Sequence, residues 1–337
     1  MSEITLLAID LAKSVFQLCG VDDRGHVRLQ RRLSRAQLMP ALVKLPRCTV
    51  VMEACGSAHY WARSIRALGH TVRLLAPQHV KAFNRGQKND RNDAQAIACA
   101  ARQPDIPQVA VKSEEQQAVL ALHRLRERTV HERVARTNQL HGLAGEFGVL
   151  LPRSLGRLRA VLLEKLDAGA FPGLLAPQLR AQLDHLQHLG EQLRQLTQHL
   201  QQLAEQSEPC RRLMRTRGIG PIIATALSCQ IGDASAFRNG RQFAASLGLV
   251  PRQHSSADRI RLLGITKRGD PYLRALLVHG ARSAMQSAAR HPDDPLSRWA
   301  LSLRERRGAN RATVGLANKL ARRLWATLRY GELAAAA

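Results

Sequence analysis

The strongest constraint on the fold is a rhythm in the first hundred residues, where short apolar, β-branched runs alternate with helix-sized segments closed by Gly or Pro. Ile4–Leu11 is an almost continuous apolar run interrupted by Asp10. Val15–Val21 and His26–Arg32 follow, and the turn Asp22-Asp23-Arg24-Gly25 between them predicts a hairpin. Ser34 is placed to cap a helix reaching about Leu45, and Cys48–Met52 reads as a buried strand. Ser57–Leu68 predicts a helix ended by Gly69, and Thr71–Leu75 another strand. After Pro77 come a short helix, a basic loop (Arg85-Gly86-Gln87-Lys88) and a helix from about Asn92 to Arg102.

Three strands in a meander followed by α-β-α-β-α is the order of an α/β ribonuclease-H-like (RuvC-like) domain, expected here over residues 1–112. The next segment, 113–207, changes character. Glu114–Gly145 is a helical stretch rich in Arg and His, and Pro152–Pro177 is broken by Gly and Pro. Gln178–Gln206 carries Leu186, Leu189, Leu193, Leu196, Leu200 and Leu203 at spacings of 3, 4, 3, 4 and 3, a heptad seam. Either Glu114–Gly145 folds back on that seam as a helical hairpin, or the seam pairs with a second copy as a coiled coil. Residues 208–337 read as a mainly α domain.

Charge identifies the class of partner. Against 26 Asp+Glu stand 51 Lys+Arg, a net +25, and the pI is near 11.3. Such an excess points to a polyphosphate backbone. No apolar run of about 18 residues and no secretory leader is visible, so a membrane is not expected and a cytoplasmic location is. Aromatics at 4% disfavour base-stacking platforms and favour backbone contacts. The six cysteines form no C-x-x-C pair, which argues against structural zinc; several sit inside apolar runs as small hydrophobes, and all six are expected to be structural rather than reactive.

The chemistry rests on carboxylates in unusual places. Asp10 interrupts an apolar strand, where an ionised group is costly without a cation or hydrogen-bond partner. Glu53 ends the strand Thr49–Met52, and Asp90 and Asp93 lie three apart at the start of a helix. Taken singly each has a bland reading; Asp90, for one, could be a helix cap. Taken together on a ribonuclease-H-like sheet they meet at one edge, where their mutual repulsion calls for divalent metal. Two Mg²⁺ ions, with Mn²⁺ as a substitute, would clamp an in-line phosphoryl transfer. Lys88 and Arg91 stand beside them to guide phosphate.

Farther on, Arg217-Gly218-Ile219-Gly220 fits either a helix-hairpin-helix phosphate contact or a plain inter-helix turn. Arg252, Arg261, Lys267, Arg268 and Arg274 form a basic run around Ser255-Ser256. In a polar loop those two serines fit a turn as well as a nucleophile.

Asp10-Leu11-Ala12-Lys13, Glu53-Ala54-Cys55-Gly56, Lys88-Asn89-Asp90-Arg91-Asn92-Asp93-Ala94 and Gly248-Leu249-Val250-Pro251-Arg252 before Ser255-Ser256 resemble the IS110 family of insertion-sequence transposases, in particular its IS1111-like subgroup. The resemblance runs over essentially the whole chain. It implies that Asp10, Glu53, Asp90 and Asp93 are a metal-binding DEDD tetrad. It also implies that Ser256 is a nucleophile that joins DNA covalently, in a site shared between subunits of a homodimer or larger assembly. The partners it implies are double-stranded DNA (element ends and target) and a structured guide RNA. The family motif continues with Gly after the serines, whereas this chain has Ala257-Asp258, and Ser255 stands as an alternative nucleophile. Two other readings remain at this stage: a metal-dependent junction-resolving nuclease using the carboxylates alone, and a non-catalytic nucleic-acid-binding protein.

Overall fold

The computed structural model describes residues 4–84, 89–232, 234–256 and 259–331, with Asp90 described by its backbone alone. Lys88, the side chain of Asp90 and the pair Ala257-Asp258 therefore lie outside the described residues. The chain packs as two compact units, one of residues 1–117 with 230–239 and the other of residues 118–229 with 240–337. Packing thus gathers most of the expected middle segment, 113–207, into one unit with most of 208–337. Helices carry most of the chain's regular structure, and the sheet belongs to the first unit.

In the first unit the strands are β1 (Leu6–Leu11), β2 (Val15–Val21), β3 (Val27–Ser34), β4 (Thr49–Glu53), β5 (Thr71–Leu75) and β6 (Gln108–Val109). The helices are α1 (Arg35–Val43), α2 (Ala58–Ala67), α3 (Pro77–Val80) and α4 (Asp90–Ala101). The sheet order is β3-β2-β1-β4-β5-β6, with β1–β4 and β4–β5 parallel and the other pairs antiparallel. The meander followed by α-β-α-β-α is present. The short edge strand β6 was not foreseen, because two residues carry no periodicity to detect.

Both faces of the sheet are covered, which is why β1 reads as a continuous apolar run. Leu7 and Ile9 join Phe16, Leu18, Val50, Met52, Trp61 and Ile65 in one cluster. Ala8 and Val51 join Val80, Ala94 and Ile97 in a second. The hairpin turn is held by buried Asp22, which accepts from the His26 N–H and the Arg28 Nε, both at 2.8 Å. Burial pushes its carboxyl up, but the His26 N–H and the Arg28 guanidinium outweigh that and hold it at about 2. Ser34 stands at the head of α1, and Gln37 Oε1 accepts from its N–H at 2.9 Å.

The second unit opens with α5 (Glu114–Glu146, of which residues from 118 belong here), α6 (Leu155–Asp167) and α7 (Ala176–Gln206). Of the two alternatives for the heptad seam, the fold-back is present within the chain. Arg126 donates to Thr197 Oγ1 at 3.1 Å, Arg136 to Gln182 Oε1 at 2.6 Å, and His185 pairs with Glu132 at 3.2 Å, a register that runs antiparallel. Helix α6 corrects the expectation of a broken segment between Pro152 and Pro177. Leu158, Leu162 and Leu166, spaced four apart, form a stripe that packs on Leu140, Leu179 and Leu183, and only its short length and flanking Gly and Pro hid it.

The remaining elements are α8 (Glu208–Met214), α9 (Pro221–Ile231), α10 (Gly240–Ser246), β7 (Pro251–Gln253), β8 (Leu262–Ile265), α11 (Pro271–Ser287), α12 (Pro295–Arg307) and α13 (Ala309–Tyr330). Helix α13 packs against α8, α10, α11 and α12 and buries Leu316, Leu320 and Leu324. The Gly218 turn enters this bundle tightly: its φ is 83°, and a Cβ there would sit 2.3 Å from the Gly280 carbonyl oxygen. A buried polar relay ties α5 to the bundle. Thr225 Oγ1 donates to the Pro221 carbonyl at 2.8 Å, so it accepts from His123 Nε2 at 3.0 Å, and Tyr272 OH meets His123 Nδ1 at 3.0 Å. Burial first, and then the Arg126 charge, lower the His123 imidazole to about 4, so it stays neutral.

Candidate active site

Parallel pairing sets β1 beside β4 with Ile9 opposite Met52, so Asp10 and Glu53 are the next residues along at the C-terminal ends of adjacent strands. Helix α4 packs against β1 and brings Asp93, in its first turn, to the same end. Asp10, Glu53 and Asp93 line one cleft of about 650 Å³, together with Pro77, Val80, Lys81, Asn84 and Ala96. The opposite ends of these strands hold a smaller cleft of about 430 Å³ lined by Ile4, Thr5, Arg47, Cys48, Thr49, Gly69 and Thr71, with no carboxylate among them. Of these two clefts, the one with carboxylates lies at the strand ends where open α/β sheets place their ligands.

The electrostatics carry the mark of crowding. Burial, and then the negative charge of Asp93, push the Glu53 carboxyl up. Burial, Glu53 and Asp10 all push the Cys55 thiol up, outweighing a backbone hydrogen bond that favours its thiolate. The helix cap is Asn89, whose side chain accepts from the Asn92 N–H at 2.8 Å. Asn89 rather than Asp90 is therefore the cap, and Asp90 begins the helix, where an acid suits the helix dipole. Asn84 Nδ2 donates to Asp93 Oδ1. Among the described residues no three His, Cys, Asp or Glu side chains converge closely enough to hold an ion. The donor set is nonetheless all oxygen, as hard divalent cations require, and its like charges gain by neutralisation.

Ser256 belongs to the other unit, on an antiparallel ribbon made by β7 and β8. The two serines lie in the polar connection between these strands, and the strands themselves were not foreseen. Ser256 bridges Arg259, exchanging N–H···O bonds of 3.3 and 3.0 Å. Ser255 Oγ accepts from the Arg261 N–H at 3.1 Å, whereas the Ser256 hydroxyl is exposed and has no hydrogen-bond partner among the described residues. At the stem, Gly248 has φ 70°, and a Cβ there would lie 2.3 Å from the Arg268 carbonyl oxygen.

The basic residues divide by what they touch. Arg252, Arg261, Lys267 and Arg268 are exposed on or beside the ribbon, and Arg91 is exposed on α4. Arg274 instead donates to the Leu247 and Arg268 carbonyls, both at 3.1 Å, and so fastens the stem. Arg217 faces Asp294 at 3.8 Å. Sequence reading overlooked Lys81 and Asn84; Pro77, which starts a short helix directly after β5, was the only signal that the chain turns back over the strand ends there. Among the described residues no helix is long and apolar enough to cross a membrane.

Comparison with known proteins gives the family. A model described as a transposase of the IS110 DEDD type matches residues 7–147, and one for the transposase IS116/IS110/IS902 family matches residues 210–294. A Pseudomonas aeruginosa protein named "Probable family 20 transposase" is 49% identical over 96% of this chain and 97% of its own length. The transposase for insertion sequence element IS1111A of Coxiella burnetii is 41% identical over 98% of this chain and 92% of its own. The transposase for insertion sequence element IS1328 of Yersinia enterocolitica is 39% identical over 99% of both. With two family models on successive parts of the chain and full-length relatives well above the identity at which families diverge, the chain belongs to the IS110 family of transposases.

Proposed function

We propose that this transposase cuts and rejoins DNA with a ribonuclease-H-like carboxylate site and a serine nucleophile. One observation carries the reading: Asp10, Glu53 and Asp93 share a cleft at the strand ends, while the exposed Ser256 hydroxyl, on a cationic ribbon, has no hydrogen-bond partner among the described residues. Ser255 is the weaker candidate because its oxygen is already used by the Arg261 N–H. Asp10, Glu53, Asp90 and Asp93 would hold two Mg²⁺ ions, or Mn²⁺ in their place. When bound, such ions supply charge neutralisation at the reacting phosphate.

The chain's own residues account for the rest. Arg252, Arg261, Lys267 and Arg268 take phosphate oxygens and set the strand against the ribbon. Ser256 Oγ loses its proton to a base and attacks phosphorus; an Oγ–P bond forms, and the bond from phosphorus to one sugar oxygen breaks. That oxygen gains a proton and departs as a hydroxyl. Attack on the adduct by a different strand's hydroxyl re-forms a phosphodiester and restores the serine. Cleft and serine lie on separate units of the fold, which suits a site shared between two copies in a homodimer or larger assembly. Double-stranded DNA is the substrate, and the net +25 also suits a structured guide RNA that would read sequence by pairing, leaving backbone contacts to the protein.

The test is to incubate the protein with element-end DNA, RNA transcribed from the element's non-coding end, and Mg²⁺. A protein–DNA adduct lost with Ser256→Ala and with Asp10→Ala is the expected result. Strand cleavage that survives Ser256→Ala would replace this reading with a hydrolytic nuclease.

A further inference from the structure

Among the described residues the cleft contains two polar side chains beyond the carboxylates, Lys81 and Asn84, both on the turn that follows α3. That turn is a fixed platform. Val80, 4% exposed, and Phe83 pack into the cluster beneath the sheet, and the Asn84 N–H closes on the Lys81 carbonyl at 3.3 Å. The turn also packs directly against α4, the helix that carries Asp93. Lys81 and Asn84 themselves are exposed, so core packing does not account for either.

We propose that Asn84 is a positioning residue for Asp93 and that Lys81 receives a phosphate oxygen of the DNA strand entering the cleft. This rests on the reading of the cleft as the metal site. Asn84 Nδ2 occupies one lone pair of Asp93 Oδ1, fixing the carboxylate rotamer and, among the described residues, leaving its other lone pairs open to a cation. A neutral amide suits that role better than Lys or Arg would, because it orients the carboxylate without cancelling the charge that attracts metal. Hydrogen bonds to ligating carboxylates commonly tune metal affinity in this way. Lys81 supplies what the carboxylates lack. The other described charged residues lining the cleft, Asp10, Glu53 and Asp93, all repel a phosphodiester, and Lys81 is the described cation among them.

The full-length protein is titrated with Mn²⁺ alone, followed by electron paramagnetic resonance, and adduct formation is measured separately against Mg²⁺ and against DNA. Asn84→Ala should weaken Mn²⁺ binding about tenfold. The Mg²⁺ needed for half-maximal adduct should rise in parallel, with the rate recovering at saturating metal; Asn84→Gln, which keeps the amide, should regain part of the loss. Lys81→Ala should raise the DNA concentration for half-maximal rate about tenfold while Mn²⁺ binding stays unchanged, and Lys81→Arg should restore it. Unaltered Mn²⁺ binding in Asn84→Ala, or an unaltered DNA dependence in Lys81→Ala, overturns the corresponding assignment. If Glu53→Gln and Asp93→Asn themselves bind Mn²⁺ like the parent chain, the metal-site reading fails and this inference falls with it. Loss of Mn²⁺ in those two variants with retention in Asn84→Ala overturns the positioning role alone.

Discussion

The carboxylate cleft and the serine ribbon are built in opposite ways. Asp10 and Glu53 end strands in the middle of a six-stranded sheet buried on both faces, so their separation is set by backbone pairing and two apolar clusters. Ser256 sits on a two-stranded ribbon whose described residues from Pro251 to Gly264 are all exposed, Ile260 by 76% and Leu262 by 61%. A ribbon of that size has little stability of its own, and here it is anchored at the stem by Gly248 and Arg274. On the proposed reading, the carboxylate half is thus held by the fold, whereas the serine half rests on a ribbon that buries little of its own.

The most severe way to break that comparison is to disable each half in turn. Ser256→Ala and Asp10→Asn should each lower adduct formation at least about a thousandfold, read as adduct on a denaturing gel. Mixing the two inactive proteins should restore adduct if the halves combine between copies; a mixture as inactive as its parts would place both in one copy. A smaller effect separates stem from cleft. Gly248→Ala puts a Cβ 2.3 Å from the Arg268 carbonyl oxygen at a positive φ, which should cost about 1–3 kcal/mol locally. Adduct yield should fall while Mn²⁺ binding at the cleft is unchanged.

Below that comes the relay at the root of the ribbon's unit. His123→Leu should lower the stability of the second unit by about 1–3 kcal/mol, because Thr225 and Tyr272 lose a buried partner. The same residue sets a pH dependence. The unfolded chain protonates near the ordinary value of 6.5, and the folded imidazole only near 4. Its contribution is thus complete above about 6.5 and is lost as pH falls through that window towards 4. Thermal melts across the range should show that loss in the parent chain and a weaker one in His123→Leu. The smallest effect is expected at Arg261, which is exposed. Arg261→Ala should leave the melting temperature within error and reduce the salt slope of DNA binding by about 1.

How much was legible in the sequence follows from how local each signal is. The strand runs, the Asp22–Gly25 turn, and the helices expected over 114–145 and 178–206 each advertise themselves within a dozen residues, and all are present, the helices as Glu114–Glu146 and Ala176–Gln206. Helix α6 was hidden by its Gly and Pro neighbours, β6 by its length, and the ribbon by polar residues that bury nothing. Among the site residues, Asp10 and Glu53 stood out because a carboxylate in or at the end of an apolar strand is costly without a purpose. Lys81 and Asn84 did not, because an exposed Lys or Asn in a short turn is ordinary until the strand ends are seen beneath it.

By itself, then, the sequence determined the order of elements, the basic character of the partner, and a set of carboxylates and serines arranged as in one family. Each of those is written in local pattern or composition. The tertiary structure decided which of these groups meet. Strand pairing placed Asp10 beside Glu53, helix packing delivered Asp93 and recruited Asn84, and the ribbon separated the exposed Ser256 hydroxyl from the engaged Ser255. Contacts between residues distant in sequence depend on sheet register and packing, and no local pattern encodes them.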